Sequence, residues 1–230
     1  MYLYDNTFLL MIPAFLLMML AQIWVNSAYK RWSQVRNTRG ITGAQAAQQL
    51  IQSGGLGQVT LEGTREHMGD HYDPRKRVLR LSPAVAQTPS VAALAIAAHE
   101  VGHAEQHHQG YAPLALRSAL VPMVNVGSNL GWILIFAGLI VGWLNLAWLG
   151  VALFATSAVF ALITLPVELN ASARARALLT QTGLVTTHEE QRGVNAVLNA
   201  AAFTYVAALA VALLQLLRFA LMIAGTGRRR

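Results

Sequence analysis

Residues 120–165, LVPMVNVGSNLGWILIFAGLIVGWLNLAWLGVALFATSAVFALITL, contain no charged side chain and decide the fold of this chain. As one helix these 46 residues would measure about 69 Å at 1.5 Å per residue. The hydrocarbon core of a bilayer is only about 30 Å thick. The run therefore predicts two membrane spans, about 120–142 and 147–165, with a break near GWLNLA, whose Trp and Asn suit an interface. Two spans leave and return on the same side of the membrane.

Two further apolar runs flank this pair. Residues 8–25, FLLMIPAFLLMMLAQIWV, carry no charge and are long enough to span a bilayer. Residues 201–224 are apolar except for Arg218, so whether this run crosses fully is left open. Overall 55% of residues are apolar and 12% charged, against about 25% charged in soluble domains. We predict a mainly α-helical polytopic membrane protein, residues 1–230 forming one domain.

The segments between the spans, 26–119 and 166–200, are polar enough to lie in water. Residues 57–82 are rich in β-forming residues and are broken by Gly and Asp-Pro, which predicts two or three short strands. The last of these runs, 78–82, alternates apolar and polar residues. The sequence therefore predicts a short β-strand or hairpin element beside helices.

A cluster of histidines marks the candidate site. Residues 88–110, TPSVAALAIAAHEVGHAEQHHQG, predict one helix with Ser90 as its N-cap. His99 and His103 then lie on one face, one turn apart, and Glu100 completes an H-E-x-x-H motif. Two neutral imidazoles suit Zn²⁺, and the carboxylate reaches the position where water binds. Solvent-facing histidines are the alternative, but the apolar AALAIAA before the motif indicates a buried helix, where unpaired groups are costly.

A catalytic zinc takes three protein ligands, so a third is needed. His107 lies about 12 Å along the helix axis from His99, too far for ligand bonds of about 2 Å. Glu168 directly follows the second central span and is the only carboxylate between Glu105 and Glu189. Acidic residues at membrane boundaries are functional candidates, although a helix-end charge at the interface is an alternative. The paired spans return Glu168 to the side of His99.

The ordered set of motifs resembles the YugP-like family of neutral zinc metallopeptidases of bacterial membranes. It comprises HYDPRKRVLRLS (71–82), AAHEVGHAEQH (97–107), the paired central spans, LPVELNASARA (165–175) and AAFTYVAALAVALLQLLR (201–218). The resemblance covers most of the chain. It implies a membrane-embedded zinc peptidase with Glu168 as the third ligand, similar to gluzincins.

One residue departs from other membrane gluzincins. The HtpX and CAAX prenyl protease type carry Asp four residues after the ligand Glu, and this chain has Ser172 there. The side chain that orients the metal ligands in those groups is therefore different here.

The predicted function is a membrane-bound zinc-dependent endopeptidase that hydrolyses peptide bonds of membrane proteins or peptides. Zinc would activate the water, and Glu100 would be the general base. An oxyanion donor is also required, and the candidates are His71, Tyr72 and Arg174. A substrate could pair with the edge of one strand, with a packing strand as the alternative; this strand comprises Val78, Leu79, Arg80, Leu81 and Ser82.

Lysine and arginine counts predict the orientation. Segment 26–119 contains ten lysine and arginine residues and 166–200 contains three, whereas 1–7 and 143–147 contain none. We predict a multi-pass protein of the cell (inner or cytoplasmic) membrane whose active site faces the cytoplasm. The basic tail Arg228–Arg230 conflicts with this if 201–224 spans fully.

The expected partners are a peptide or membrane-protein substrate and the lipid bilayer. Nucleic acid is not expected, because the basic residues follow apolar segments and no recognition motif accompanies the net charge of +7. The alternative function is a catalytically inactive, metal-stabilised membrane scaffold or adaptor, which would have no use for Glu100. A transporter is disfavoured, since only Glu168 and Arg218 are charged in or beside the later spans.

Overall fold

The computed structural model describes residues 6–64 and 69–227; the tail residues Arg228–Arg230 lie outside this range. It is mainly helical, with one small sheet, as predicted. A 3-10 turn at Asn6–Leu10 precedes the helices α1 (Met11–Ser33), α2 (Gly43–Ser53), α3 (Pro83–Ala86), α4 (Val91–His108), α5 (Ala112–Val141), α6 (Leu144–Gln181) and α7 (His188–Gly227). The strands are β1 (Thr60–Gly63), β2 (His71–Asp73) and β3 (Val78–Leu81).

Four helical segments are long and apolar enough to cross a membrane: Thr7–Ser33, Ala112–Val141, Leu144–Gln181 and His188–Thr226. The exposed large apolar side chains among the described residues all lie on these segments or in the turn between α5 and α6. A soluble protein rarely exposes such continuous apolar surface. The prediction of a polytopic helical membrane protein is therefore confirmed.

The break in the central apolar run falls at Gly142 and Trp143, between α5 and α6. Gly142 has a φ of 77°, a left-handed conformation that glycine adopts without steric cost. Trp143 is 59% exposed at this turn. The turn lies where the sequence predicts it and separates two antiparallel helical segments.

The chain forms two compact units, and α1, α5, α6 and α7 contribute residues to both. The first unit contains the described residues of 6–21, 115–166 and 204–227. This unit contains a cluster of aromatic rings in edge-to-face contact, of which Phe154 and Phe219 are buried. Trp132 and Phe154 each pack against Phe219, with ring centroids 4.9 Å and 5.3 Å apart. Such contacts are favourable beyond the burial of their area.

The second unit contains residues 22–114 and 167–203, apart from the undescribed stretch 65–68. Buried alanines and leucines of α4 lie in its core together with residues of α2, the sheet and the later helices. Thr42 caps α2 in a capping box with Gln45, which fixes where that helix begins. This unit holds all the residues of the candidate site.

The sheet order is β1-β3-β2, so β3 is the central strand. It pairs in parallel with β1 and antiparallel with β2. The prediction that 78–82 offers an edge to a substrate is therefore wrong, because both edges of β3 are already paired. The alternative, a packing strand, is observed, and Leu79 and Leu81 are buried in the core of the second unit.

Helix α6 continues through Pro166 to Gln181, well beyond the predicted span end at residue 165. Proline lacks an N–H and leaves the carbonyl of Leu162 without its intrahelical partner, which usually ends or kinks a helix. Here residues 167–181 pack in the second unit. Val167, Ala171 and Ala175 are fully buried there, so tertiary packing favours the helix despite the proline.

Candidate metal centre

Helix α4 carries the histidines into the interior of the second unit. Its first residue is Val91, and the Ser90 hydroxyl caps it by accepting a hydrogen bond from the Ala93 N–H at 3.1 Å. His99 and His103 follow on one face, with ring centroids 4.8 Å apart and planes at 84°. The sequence-based prediction of a buried helix with two adjacent imidazoles is confirmed.

Helix α6 brings a carboxylate to both imidazoles. Oε2 of Glu168 lies 3.2 Å from Nε2 of His99 and 3.6 Å from Nε2 of His103. The Glu168 side chain is only 2% exposed. It lies within a continuous helix, so the alternative of a charge at a helix end does not describe it. Between the histidines and Glu168 in the sequence, the chain reverses direction at Gly142, where α5 gives way to α6.

The spacing of these three side chains fits a zinc ion. One nitrogen from each imidazole and one carboxylate oxygen all lie within 4.8 Å of one another. Zinc bonds of 2.0–2.2 Å in a tetrahedral arrangement place ligand atoms about 3.3 Å apart. The two measured nitrogen–oxygen distances lie on either side of that value. Two nitrogens and one carboxylate oxygen also form a donor set typical of catalytic zinc.

Gly102 allows the two ligand-bearing helices to approach closely. A Cβ atom at this position would lie 2.6 Å from the carbonyl oxygen of Ala171 on α6. Real side chains essentially never approach backbone atoms so closely. The glycine of the H-E-x-x-H motif therefore has a packing role. It lets α4 lie against the turn of α6 that carries Glu168.

Each histidine is also held through its second ring nitrogen. The Ser172 hydroxyl lies 3.3 Å from Nδ1 of His99, and Oε1 of Gln106 lies 3.0 Å from Nδ1 of His103. If Nδ1 donates in both contacts, each Nε2 keeps its lone pair for a metal. Such contacts orient metal-binding imidazoles in proteins. Here both partners, Ser172 and Gln106, are uncharged.

Glu100 lies between the two histidines in sequence and is 8% exposed. Burial raises the pKa of its carboxyl group above the usual range, while the charges of His99 and His103 act in the opposite direction. A carboxylate with a raised pKa is a better proton acceptor at neutral pH than an ordinary one. The environment of Glu100 is therefore suited to a general base.

Strand β2 separates two of the predicted oxyanion donors. Tyr72 packs against the core, and its hydroxyl lies 2.9 Å from Nδ1 of His107 on α4. His71 is exposed, and its ring contacts the Gly69 carbonyl and the Arg80 guanidinium. Adjacent residues of a strand point to opposite faces. Of this pair, only Tyr72 lies against the helix that carries the histidines.

The third predicted donor, Arg174, is held within the second unit by two neighbours. Its Nη1 lies 3.2 Å from Oε2 of Glu105, and its Nε donates to Oδ1 of Asn170 at 2.8 Å. The side chain is therefore fixed between α4 and α6. This arrangement favours a structural or orienting role over contact with a substrate.

Sequence reasoning missed Gln106 and Asn170. Gln106 is fully buried, and its Nε2 donates to the Val167 carbonyl and to Oδ1 of Asn170. The available signal was its position three residues after His103, on the same helix face. A neutral amide belongs to no metal-binding motif, so the position of Gln106 in the sequence did not identify it as part of the site.

Comparison with known proteins agrees with this geometry. The family model described as "Putative neutral zinc metallopeptidase" matches residues 7–224. The Bacillus subtilis (strain 168) protein named "Putative membrane protease YugP" is 45% identical over 202 residues, which cover 88% of this chain and 89% of that protein. No solved structure matches the chain. A family model matched over nearly the whole chain, together with a group of three zinc-compatible side chains, shows that this protein belongs to the neutral zinc metallopeptidase family of membrane proteins.

Proposed function

We propose that this protein is a membrane-bound endopeptidase of the gluzincin type, which cleaves peptides or segments of membrane proteins near the cytoplasmic face. The observation that carries the proposal is the convergence of His99, His103 and Glu168 beside the buried Glu100. A purely structural zinc site is usually closed by four protein ligands and needs no general base. Three ligands leave a position for water and substrate.

His99, His103 and Glu168 would hold the zinc ion through two Nε2 atoms and a carboxylate oxygen. When bound, the ion lowers the pKa of a water molecule and polarises the scissile carbonyl group. The Glu100 carboxylate accepts a proton from the attacking water and delivers it to the leaving amine nitrogen. The raised pKa of Glu100 supports this role, since it brings the carboxyl closer to the operating pH.

Among the three candidate oxyanion donors, Tyr72 is the one we propose. Its phenol is the only one of the three side chains that packs on α4 without an ionic partner, and His107 orients it at 2.9 Å. A single donor of this kind contributes about 10²–10³-fold to kcat. Arg174 is instead held by Glu105 and Asn170.

The catalytic assignment is tested with Glu100→Gln, which keeps the shape of the side chain and removes its basicity. Glu189→Gln, at an exposed position of α7, is the matched control. We expect Glu100→Gln to bind zinc like the wild type and to lose at least about 100-fold in kcat on a peptide library substrate. The control should match the wild type in both measurements. If Glu100→Gln binds zinc and cleaves normally, the zinc site serves a scaffold and the proposed mechanism is wrong.

The proposed cytoplasmic orientation follows from the charge counts and has its own test. The chain has no cysteine, so single cysteines can be introduced and labelled with a membrane-impermeant maleimide. Lys76→Cys lies in the exposed β2–β3 turn, and Asn145→Cys lies at the exposed start of α6. In intact cells we expect labelling of Asn145→Cys alone, and labelling of Lys76→Cys only after permeabilisation. The reverse pattern would place the catalytic side outside.

A further inference from the structure

The second unit contains a chain of hydrogen-bonded side chains that ends on the imidazole of His103. It runs from the Arg174 guanidinium to the Asn170 amide, then to the Gln106 amide and to the His103 ring. The three contacts measure 2.8 Å, 2.9 Å and 3.0 Å. Gln106 is fully buried, so its polar atoms have no access to solvent. No part of the mechanism proposed above uses Arg174, Asn170 or Gln106.

The donors and acceptors in this chain can be assigned from chemistry alone. A guanidinium only donates, so the Asn170 atom that faces Arg174 must be its carbonyl oxygen. That oxygen and the backbone carbonyl of Val167 are both acceptors, and both face the same end of Gln106 at 2.9 Å and 2.8 Å. That end must therefore be the amide nitrogen, which has two hydrogens to donate.

The orientation of the Gln106 amide then determines the state of the imidazole. With its nitrogen committed to the two acceptors, Gln106 presents Oε1 to Nδ1 of His103. Nδ1 must carry the hydrogen, so in the neutral imidazole Nε2 carries the lone pair. A flipped amide would place an oxygen against two other oxygens in a buried site, where unsatisfied polar groups are costly.

The same amide also fixes the position of the third ligand. Val167 immediately precedes Glu168 on α6, and Gln106 bonds to its backbone carbonyl. One side chain of α4 therefore contacts both the His103 ring and the backbone next to Glu168. Displacing it would disturb the mutual distance of two ligands as well as the orientation of one.

We propose that Arg174, Asn170 and Gln106 form an orienting relay that locks His103 in the Nδ1–H form, with Gln106 as the positioning residue that joins the two ligand-bearing helices. The inference rests on the proposed zinc site. It assigns to Arg174 a role different from the oxyanion donor considered from sequence. Removal of such orienting partners typically costs 10–100-fold in metal affinity or activity.

The test uses the full-length protein in detergent and measures zinc affinity by competition with a chromophoric chelator. Gln106→Met keeps the approximate volume and removes all three hydrogen bonds, whereas Gln48→Met changes an exposed glutamine of α2 and is the control. We expect Gln106→Met to weaken zinc binding about 10–100-fold and Gln48→Met to leave it unchanged. The absorption spectrum of the Co²⁺-substituted protein should change in Gln106→Met, because the ligand geometry is altered.

A double-mutant cycle tests whether the relay acts as one unit. Arg174→Met alone should weaken zinc binding by less than Gln106→Met. In the Gln106→Met background, Arg174→Met should cause no further loss of zinc affinity, because the hydrogen bonds that connect Arg174 to His103 are already removed. Thermal unfolding of the zinc-free variants serves to separate loss of fold from loss of ligand orientation.

Three results would overturn the relay. Gln106→Met could bind zinc like the wild type with an unchanged Co²⁺ spectrum, or the two losses could add fully, in which case Arg174 acts independently. If the wild type binds zinc and Glu100→Gln abolishes cleavage while Gln106→Met has no effect, only the relay is wrong. If the wild type binds no zinc, the relay and the proposed function both fail.

Discussion

The substitution Gly102→Ala adds a single methyl group at the contact between α4 and α6. The new Cβ would lie 2.6 Å from the carbonyl oxygen of Ala171, 3.3 Å from its carbonyl carbon and 3.4 Å from its Cα. All three are backbone atoms, so no side-chain rotation can relieve the clash. Restoring ordinary contact with the oxygen requires the two helices to separate by about 0.8 Å, the kind of backbone shift that overpacking forces.

That displacement is large for a zinc site and small for the fold. His103 is the next residue on α4, and Glu168 lies three residues before Ala171 on α6, so both ligands move with their helices. Zinc sites tolerate deviations of only about 0.2 Å in ligand distances. Overpacking costs about 1–3 kcal/mol, and the higher helix propensity of alanine offsets about 1 kcal/mol of it. We expect a folded protein whose zinc binding is impaired.

The assay compares zinc affinity, kcat/KM on a peptide substrate and thermal unfolding of Gly102→Ala with those of the wild type. A misplacement near 1 Å can cost about 100-fold in rate, and we expect a loss of that size in kcat/KM with a much weaker zinc complex. Gly225→Ala, in α7, is the control, since no neighbouring residue lies within 4 Å of the Cβ that it would add. If Gly102→Ala stays within threefold of the wild type in zinc affinity and kcat/KM, the close approach does not position the ligands.

Three further substitutions test other contacts. Gly193→Ala places a Cβ 2.5 Å from Cε3 of Trp32, so we expect thermal unfolding to show a loss of about 1–3 kcal/mol. Glu190→Ala removes a buried carboxylate that accepts three backbone N–H groups; unfolding should show a loss of about 3 kcal/mol or more, whereas exposed Glu189→Ala should show little. Ser172→Ala removes the hydroxyl at Nδ1 of His99, a proposed zinc ligand, and chelator competition should show zinc affinity lowered about tenfold; unchanged affinity would contradict this.

Much of the site could be predicted because it depends on local spacing and chain topology. The four-residue interval between His99 and His103 fixes their common face in any helix. Ser90 marked the start of that helix, and the length of the uncharged run required the reversal that the structure places at Gly142. Glu168 was the only carboxylate in the region that the reversal could return to the histidines.

The sheet could not be predicted in the same way. The alternating pattern of 78–82 indicates a strand, but it does not reveal that two other strands flank it. Parallel pairing of β1 with β3 joins segments that are separated by β2 in the sequence. Strand order depends on such non-local contacts, and an alternating pattern is equally compatible with an edge or a central position.

The continuation of α6 through Pro166 and the role of Gln106 were missed for different physical reasons. Proline is a strong local signal for a helix boundary, but buried contacts of Val167 and Ala171 outweigh it. Gln106 acts through the geometry of its partners, which lie more than 60 residues away in the chain. Neither effect can be inferred from the neighbouring sequence.

The most direct test of this account is the zinc content of the purified protein, measured by elemental analysis, beside Glu168→Ala and the exposed control Glu189→Ala. The central claim is that the Glu168 carboxylate on α6 binds zinc together with His99 and His103 on α4. We predict about one zinc per chain in the wild type and in Glu189→Ala, and almost none in Glu168→Ala after dialysis against a mild chelator. A wild type without zinc, or a Glu168→Ala variant that retains zinc with wild-type affinity, would contradict the claim.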